Sequence, residues 1–179
     1  MKMISKLQPY VFLIIITTFF VTVTAQINLA LHGIVAQETT FKDAAGISYN
    51  ANLAVEGHAN NNWADGCSST ADNQTTAWWR LFLPKLAYIT NVKFYLRSDE
   101  PERMNDFRLY FSNDTVYAKS ERCYRDTKNQ AYRNLNQSID CDLSPTKNVY
   151  FFNRNTLIEL CYIEVYGKVL KQYFLESDG

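Results

Sequence analysis

Three side chains in "FYLRSDEPERMNDF" (residues 94–107) have types and spacing suited to holding a polar ligand: Arg97, Asp99 and Arg103. A guanidinium presents a planar fork of N–H donors that can meet two adjacent hydroxyls and keeps its charge at any accessible pH. Asp99, two positions on, shares a strand face with Arg97 and can orient that fork or accept a hydroxyl proton. The competing account is an ion-pair cluster with Glu100 and Glu102, a common and weak surface feature.

Catalysis finds little support. The two histidines, His32 and His58, belong to no G-x-S-x-G or H-E-x-x-H pattern. Glu100 and Glu102 are a carboxylate pair of the kind glycoside hydrolysis uses, but they lie in an exposed turn with nothing evident to shift them. The expectation is a binding protein and not an enzyme.

The elements that must position these side chains are short and rich in β-branched and aromatic residues. "AWWRLFL" (77–83), "YITNVKFYL" (88–96), "FRLYF" (107–111), "NVYFF" (148–152) and "LIELCYIEVYG" (157–167) read as strands. Ile89, Val92, Phe94 and Leu96 are core candidates. Of Trp78 and Trp79, which point to opposite faces, one belongs to the core and the other packs under a loop. Glu159 and Glu164 interrupt the apolar stripe of the last segment and exclude a helix there. "NANLAVEG" (50–57) offers one helical turn. Turn formers separate the strands at 60–62, Asp65-Gly66, Asp99–Pro101, Asn113-Asp114 and Ser144-Pro145. The pattern describes an all-β domain, a β-sandwich of the jelly-roll kind.

The N-terminal "MKMISKLQPYVFLIIITTFFVTVTAQ" carries Lys2 and Lys6, then an apolar run from Val11 to Val23. The run is short for a bilayer span and ends in small or β-branched residues, as in a cleavable signal peptide with cleavage after Ala25. The organisation expected is a signal peptide at 1–25, a domain at 26–167, and a tail or linker at 168–179. Without residues 1–25, sixteen basic side chains face eighteen acidic ones, a formal balance near −2. That balance gives no reason to expect a nucleic acid or an anionic membrane as partner.

Four cysteines remain, Cys67, Cys123, Cys141 and Cys161, with no close C-x-x-C pair for zinc. In a secreted chain they imply two disulfides, and three pairings are open. We adopt the nested one, Cys67–Cys161 and Cys123–Cys141. The outer bridge ties the start of the domain to its last strand and is worth roughly 4–5 kcal/mol in the chain-entropy model, against about 3 kcal/mol for the inner one. Sequons at Asn73, Asn113 and Asn136 fit exposed, glycosylated positions on a secreted protein.

Read in order, "NLALHGIVAQETT", "ANLAVEGH", "GCSST", "AWWRLFLPKLAYITNVKFYLRSDEPER", "NDFRLYFSN" and "ELCYIEVYG" form a series. It resembles the F-type lectins, or fucolectins, a branch of the galactose-binding-like jelly rolls that includes discoidin domains, over residues 27 to 167. The resemblance implies a calcium-stabilised jelly roll that binds fucose-containing glycans at a loop end, with the same nested disulfides. Its sugar site uses a His, an Arg-x-Asp and a second basic residue. Arg97 and Asp99 match the Arg-x-Asp, and Arg103 matches the second basic residue. The interval from Asp99 to Arg103 is one residue short, Glu100-Pro101 replaces a pair of adjacent cysteines, and Ser69 stands where the family has its His. Tyr49 and Trp63 fall in loops that flank such a site.

The calcium set that the resemblance implies falls on backbone oxygens of Leu53, Gly66 and Cys161, with Glu56 where Asp is usual and His58 where Asn is usual. Tyr162 replaces a further Glu ligand, and calcium wants six to eight oxygens. The expected partners are cell-surface or soluble glycans, fucosylated ones among them, with an oligomer open and no membrane insertion. The alternative is an extracellular adhesion module that binds a protein or a different glycan through the same loops.

Overall fold

The computed structural model describes residues 26–114, 120–127, 134–154 and 157–170. The expected signal peptide (1–25) and residues 171–179 of the expected tail lie outside the described residues. Among the described residues ten strands run in chain order: β1 (Ile27–Asn28), β2 (Ile34–Gln37), β3 (Ser68–Ser69), β4 (Thr76–Tyr95), β5 (Arg108–Ser112), β6 (Glu121–Arg125), β7 (Asn136–Asp140), β8 (Thr146–Arg154), β9 (Glu159–Leu160) and β10 (Tyr162–Val169). One helical turn, α1 (Leu53–Glu56), lies within the 50–57 segment expected to form it.

The two strands expected at 77–83 and 88–96 are one continuous 20-residue strand, β4. Proline has no N–H for a ladder, so Pro84 sits where the β4–β8 register shifts, between Phe82 and Ala87. The first half of β4 pairs antiparallel with β2 and β8, and the second half with β10 and β7. The full order is β1-β10-β4-β8-β5-β6. β4 thus belongs to both layers of an antiparallel jelly-roll sandwich.

Alternation along β4 sends Trp79, Leu81, Val92 and Phe94 inward, all fully buried. Phe94 packs edge-on to Phe151 at 5.0 Å and to Phe107 at 5.5 Å, joining the two halves of the sheet across the core. Such aromatic pairs add about 0.5–1.5 kcal/mol each beyond burial of their area. Trp79 donates its indole N–H to the Ala51 carbonyl at 3.1 Å. Trp78 lies on the opposite face of the sheet, beside Arg80 and Tyr150, because its neighbour Trp79 takes the core side.

β3 and β9 form a separate ribbon with Ser69 opposite Glu159. Disulfides join Cys67 to Cys161, at the end of that ribbon, and Cys123 to Cys141. β6 and β7 escaped the sequence reading, because "ERCYR" and "NQSID" lack apolar alternation. Gly167 allows β10 to approach β4 closely: a Cβ there would lie 2.1 Å from the Tyr88 carbonyl oxygen.

Candidate functional site

Beyond Tyr95 the chain leaves β4 and is held from both sides by Asn61. The Asn61 side-chain amide donates to the Leu96 carbonyl at 2.6 Å, and its backbone carbonyl accepts from the Ser98 N–H at 3.0 Å. Arg97 is clamped between those two contacts. Asn62 accepts from the Ala64 N–H at 3.2 Å and caps a 3₁₀ turn over Trp63–Asp65, which Gly66 closes at φ +96°. This turn sets Trp63 under Arg97, whose Cζ lies 4.0 Å from the indole centroid. Trp63 in turn stacks on Tyr49 at 4.2 Å with an interplanar angle of 11°, and Phe41 completes the cluster.

Asp99 takes the fork of Arg97 in a bidentate pair, Nε to Oδ1 at 2.6 Å and Nη2 to Oδ2 at 2.7 Å. The third contact was not anticipated. Arg97 Nη1 donates to Glu159 Oε1 at 3.3 Å, and Arg103 Nη1 reaches the same oxygen at 3.3 Å. Ser69 Oγ also donates to it at 3.2 Å. Arg103 comes from a 3₁₀ turn over Pro101–Met104, whose Met104 sulfur receives the Glu159 backbone N–H at 3.1 Å.

The structure therefore brings together all four residues expected to form the sugar site, Arg97, Asp99, Arg103 and Ser69. The centre of that constellation is Glu159. Its side chain is 1 % exposed, whereas Arg97 is 11 % and Arg103 37 % exposed. Burial pushes the Glu159 carboxyl above its ordinary value, against the two guanidiniums and the Ser69 hydroxyl that favour its charge. The Asp99 carboxyl is held below the usual range, first by its hydrogen bonds from Arg97. Among the described residues, Glu159 Oε2 has no hydrogen-bond partner. The sequence signal for Glu159 was a charged residue set between Ile158 and Leu160 in an otherwise apolar strand.

Chemically, Arg97 retains N–H groups on Nη1 and Nη2 beyond its three bonds, beside an aromatic stack, and Arg103 stands a short distance away. Donors next to a ring plane suit a pyranose, whose hydroxyls ring its edge and whose C–H face is apolar. His58 lies in the exposed loop after α1, apart from this cluster.

Of the residues expected to bind calcium, Leu53, Gly66 and Cys161 bring their carbonyl oxygens close to Gly57. A Cβ built there would lie 2.6 Å from the Leu53 carbonyl oxygen, 3.4 Å from that of Gly66 and 3.5 Å from that of Cys161. These three oxygens are hard donors of the kind calcium takes. Among the described residues no group of three or more His, Cys, Asp or Glu side chains converges on such a point.

The fold is that of the galactose-binding-like jelly rolls, the class to which lectin-like carbohydrate-binding modules belong. A family model described as the NedA-like, galactose-binding domain, of the F5/F8 type C kind, matches residues 53–151, and the chain belongs to that family. It is similar to the serum fucolectin of striped bass, Morone saxatilis, at 26 % identity and a TM-score of 0.70, over 81 % of this chain and 48 % of the bass chain. The chain thus spans about half the length of that lectin. A fucose-binding module of Streptococcus pneumoniae superposes at 23 % identity and a TM-score of 0.62, over 78 % of this chain and 97 % of that one. The lectin domain of lectinolysin, solved with Lewis b antigen, does so at 22 % and 0.61, over 78 % and 95 %. No curated protein matches the chain by sequence.

Proposed function

We propose that this chain is a secreted, non-enzymatic lectin-like module that binds fucosylated glycans at the Arg97–Arg103 end of the sandwich. The observation that carries this reading is the pair of arginines held on one buried carboxylate, with Arg97 over the ring of Trp63. Their spacing is fixed before any ligand arrives, so less ordering entropy is lost on binding. In this reading Arg97 and Arg103 donate to sugar hydroxyls, Asp99 orients Arg97, and Ser69 acts from behind through Glu159. Ser69 therefore does not replace the family's His as a direct contact. The likeness to fucose-binding modules supports the choice of sugar.

A structural calcium ion, bound through the carbonyls of Leu53, Gly66 and Cys161 with Glu56 as the nearest carboxylate in sequence, belongs to the same proposal. So do secretion and glycosylation at Asn73, Asn113 and Asn136. All three asparagines are exposed.

One observation favours the alternative of an adhesion module for a protein or another glycan: the fork of Arg97 is already closed on Asp99. A glycan array decides between the two. Binding of the purified domain to fucosylated glycans, lost in Arg97→Ala, is the expected result. An array without signal, or binding that survives Arg97→Ala unaltered, overturns the sugar reading.

A further inference from the structure

The outer face of the sheet formed by β2, the first half of β4, β8, β5 and β6 carries arginines interleaved with aromatic rings. Register places Trp78, Phe152, Arg108 and Arg125 in one cross-strand row, and Arg80, Tyr150, Tyr110 and Arg122 in the next. Arg154, opposite Thr76, begins the row beyond. Alternate residues of a strand lie about 7 Å apart and neighbouring strands about 4.8 Å, so these guanidiniums cover an area roughly 14 Å on a side.

Five arginines share this face with two carboxylates, Glu38 and Asp106. Asp106 pairs with Arg108 at 3.1 Å and Arg125 at 2.8 Å, and Glu38 accepts from the Thr76 hydroxyl at 3.3 Å. Among the described residues, Arg80, Arg122 and Arg154 have no carboxylate within ion-pair distance. Arg80 sits between two rings, its Cζ 5.9 Å from the centroid of Trp78 and 5.9 Å from that of Tyr150, and its Nε has no hydrogen-bond partner. Rings at that distance hold the guanidinium in place, and because Nε is itself buried, contact with an anion falls to its terminal amino groups. A chain with equal numbers of acidic and basic residues thus concentrates positive charge on one sheet face, away from the Arg97 cluster.

We propose that this face is a second binding surface, for an extended sulfated polysaccharide of the glycosaminoglycan type. Charge complementarity selects the partner: guanidinium forks in successive rows match sulfate and carboxylate groups repeated along a chain, each taking a bidentate, charge-assisted contact. A lipid surface fits less well. Tyr150 and Phe152 are buried and Trp78 half-buried, and Ile34 at the β2 edge is the single large apolar side chain exposed on this face among the described residues, too little to anchor in a bilayer. The surface does not depend on the sugar reading of the Arg97 site.

The test measures retention of the full domain on immobilised heparin and its affinity for a size-defined heparin oligosaccharide. The wild type is expected to stay bound at about 0.15 M ionic strength. The triple variant Arg122→Gln/Arg125→Gln/Arg154→Gln, all exposed positions, should elute at lower salt and bind about tenfold more weakly or worse. Its thermal midpoint should stay near that of the wild type. Desulfated heparin is expected to lose the wild type's binding, and Arg97→Ala to keep it. Passage of the wild type through the column at physiological salt overturns the proposal, as does equal retention of the triple variant or insensitivity to desulfation. Equal affinity for phosphatidylserine vesicles or a single-stranded oligonucleotide would show unspecific charge attraction and overturn it also.

Discussion

Arg97 and Glu159 meet at 3.3 Å although 62 positions separate them in sequence. The pair exists because β3 and β9 form a ribbon that sets Ser69 opposite Glu159, and because Asn61 fixes the backbone on either side of Arg97. The carboxylate beneath the site fixes how far apart the two arginines stand.

The pH dependence of stability follows from that burial. Burial raises the Glu159 carboxyl in the folded state, so the fold binds more protons there than the unfolded chain does. Its contribution is therefore greatest below the unfolded value of 4.5 and is lost as pH rises through the raised value. Asp99 has the opposite sign: Arg97 lowers its pKa, so its contribution is present above 3.8 and lost as pH falls through the lowered value. Glu159→Gln is a neutral isostere that cannot titrate. Its melting midpoint relative to the wild type should rise as pH increases from about 4.5. A difference that stays flat across that window contradicts the raised value. Glu159→Ala leaves two guanidiniums facing a cavity and should cost about 3 kcal/mol at neutral pH.

Asn61→Ala tests the clamp. Loss of the hydrogen bond to Leu96 O should cost about 1–2 kcal/mol, read by denaturant unfolding. It should also weaken glycan binding by more than this loss of stability explains, since Arg97 is no longer held. Unchanged affinity would show that Trp63 and Asp99 suffice to position it.

For calcium, melts with and without chelator should differ, with the higher midpoint in calcium. Coincident melts count against the ion. Gly57→Ala places a methyl group 2.6 Å from the Leu53 oxygen and should destabilise by about 1–3 kcal/mol in either condition. A larger loss in calcium than in chelator would tie the carbonyl cluster to the metal.

The two disulfides should differ in weight. Cys67→Ala/Cys161→Ala opens a bridge between positions 94 apart and should cost roughly 4–5 kcal/mol, against about 3 kcal/mol for Cys123→Ala/Cys141→Ala, which are 18 apart. The outer pair should also impair glycan binding, because it ends the ribbon that carries Ser69 and Glu159.

Local chemistry made much of this legible in the sequence. Alternation of Ile89, Val92, Phe94 and Leu96 marked a strand and its buried face, and all four are buried. The adopted cysteine pairing is the observed one. The spacing of Arg97 and Asp99 anticipated their contact, although both lie in the loop beyond β4 and not on a strand face, where a bidentate ion pair joins them.

Contacts between distant segments were decided by the tertiary structure. Composition marked separate strands at 77–83 and 88–96, yet β4 runs through Pro84, because the interrupted ladder there needs no proline N–H. Glu159 looked like a break in an apolar stripe, and only the β3–β9 pairing turns it inward beneath two arginines. Net charge gave no reason to expect a nucleic acid or an anionic membrane, but charge counted along a chain carries no direction. Strand register alone assembles Arg80, Arg108, Arg122, Arg125 and Arg154 from four strands onto one face. Residue type determines what each side chain can do, whereas pairing between strands far apart in sequence determines which of them act together.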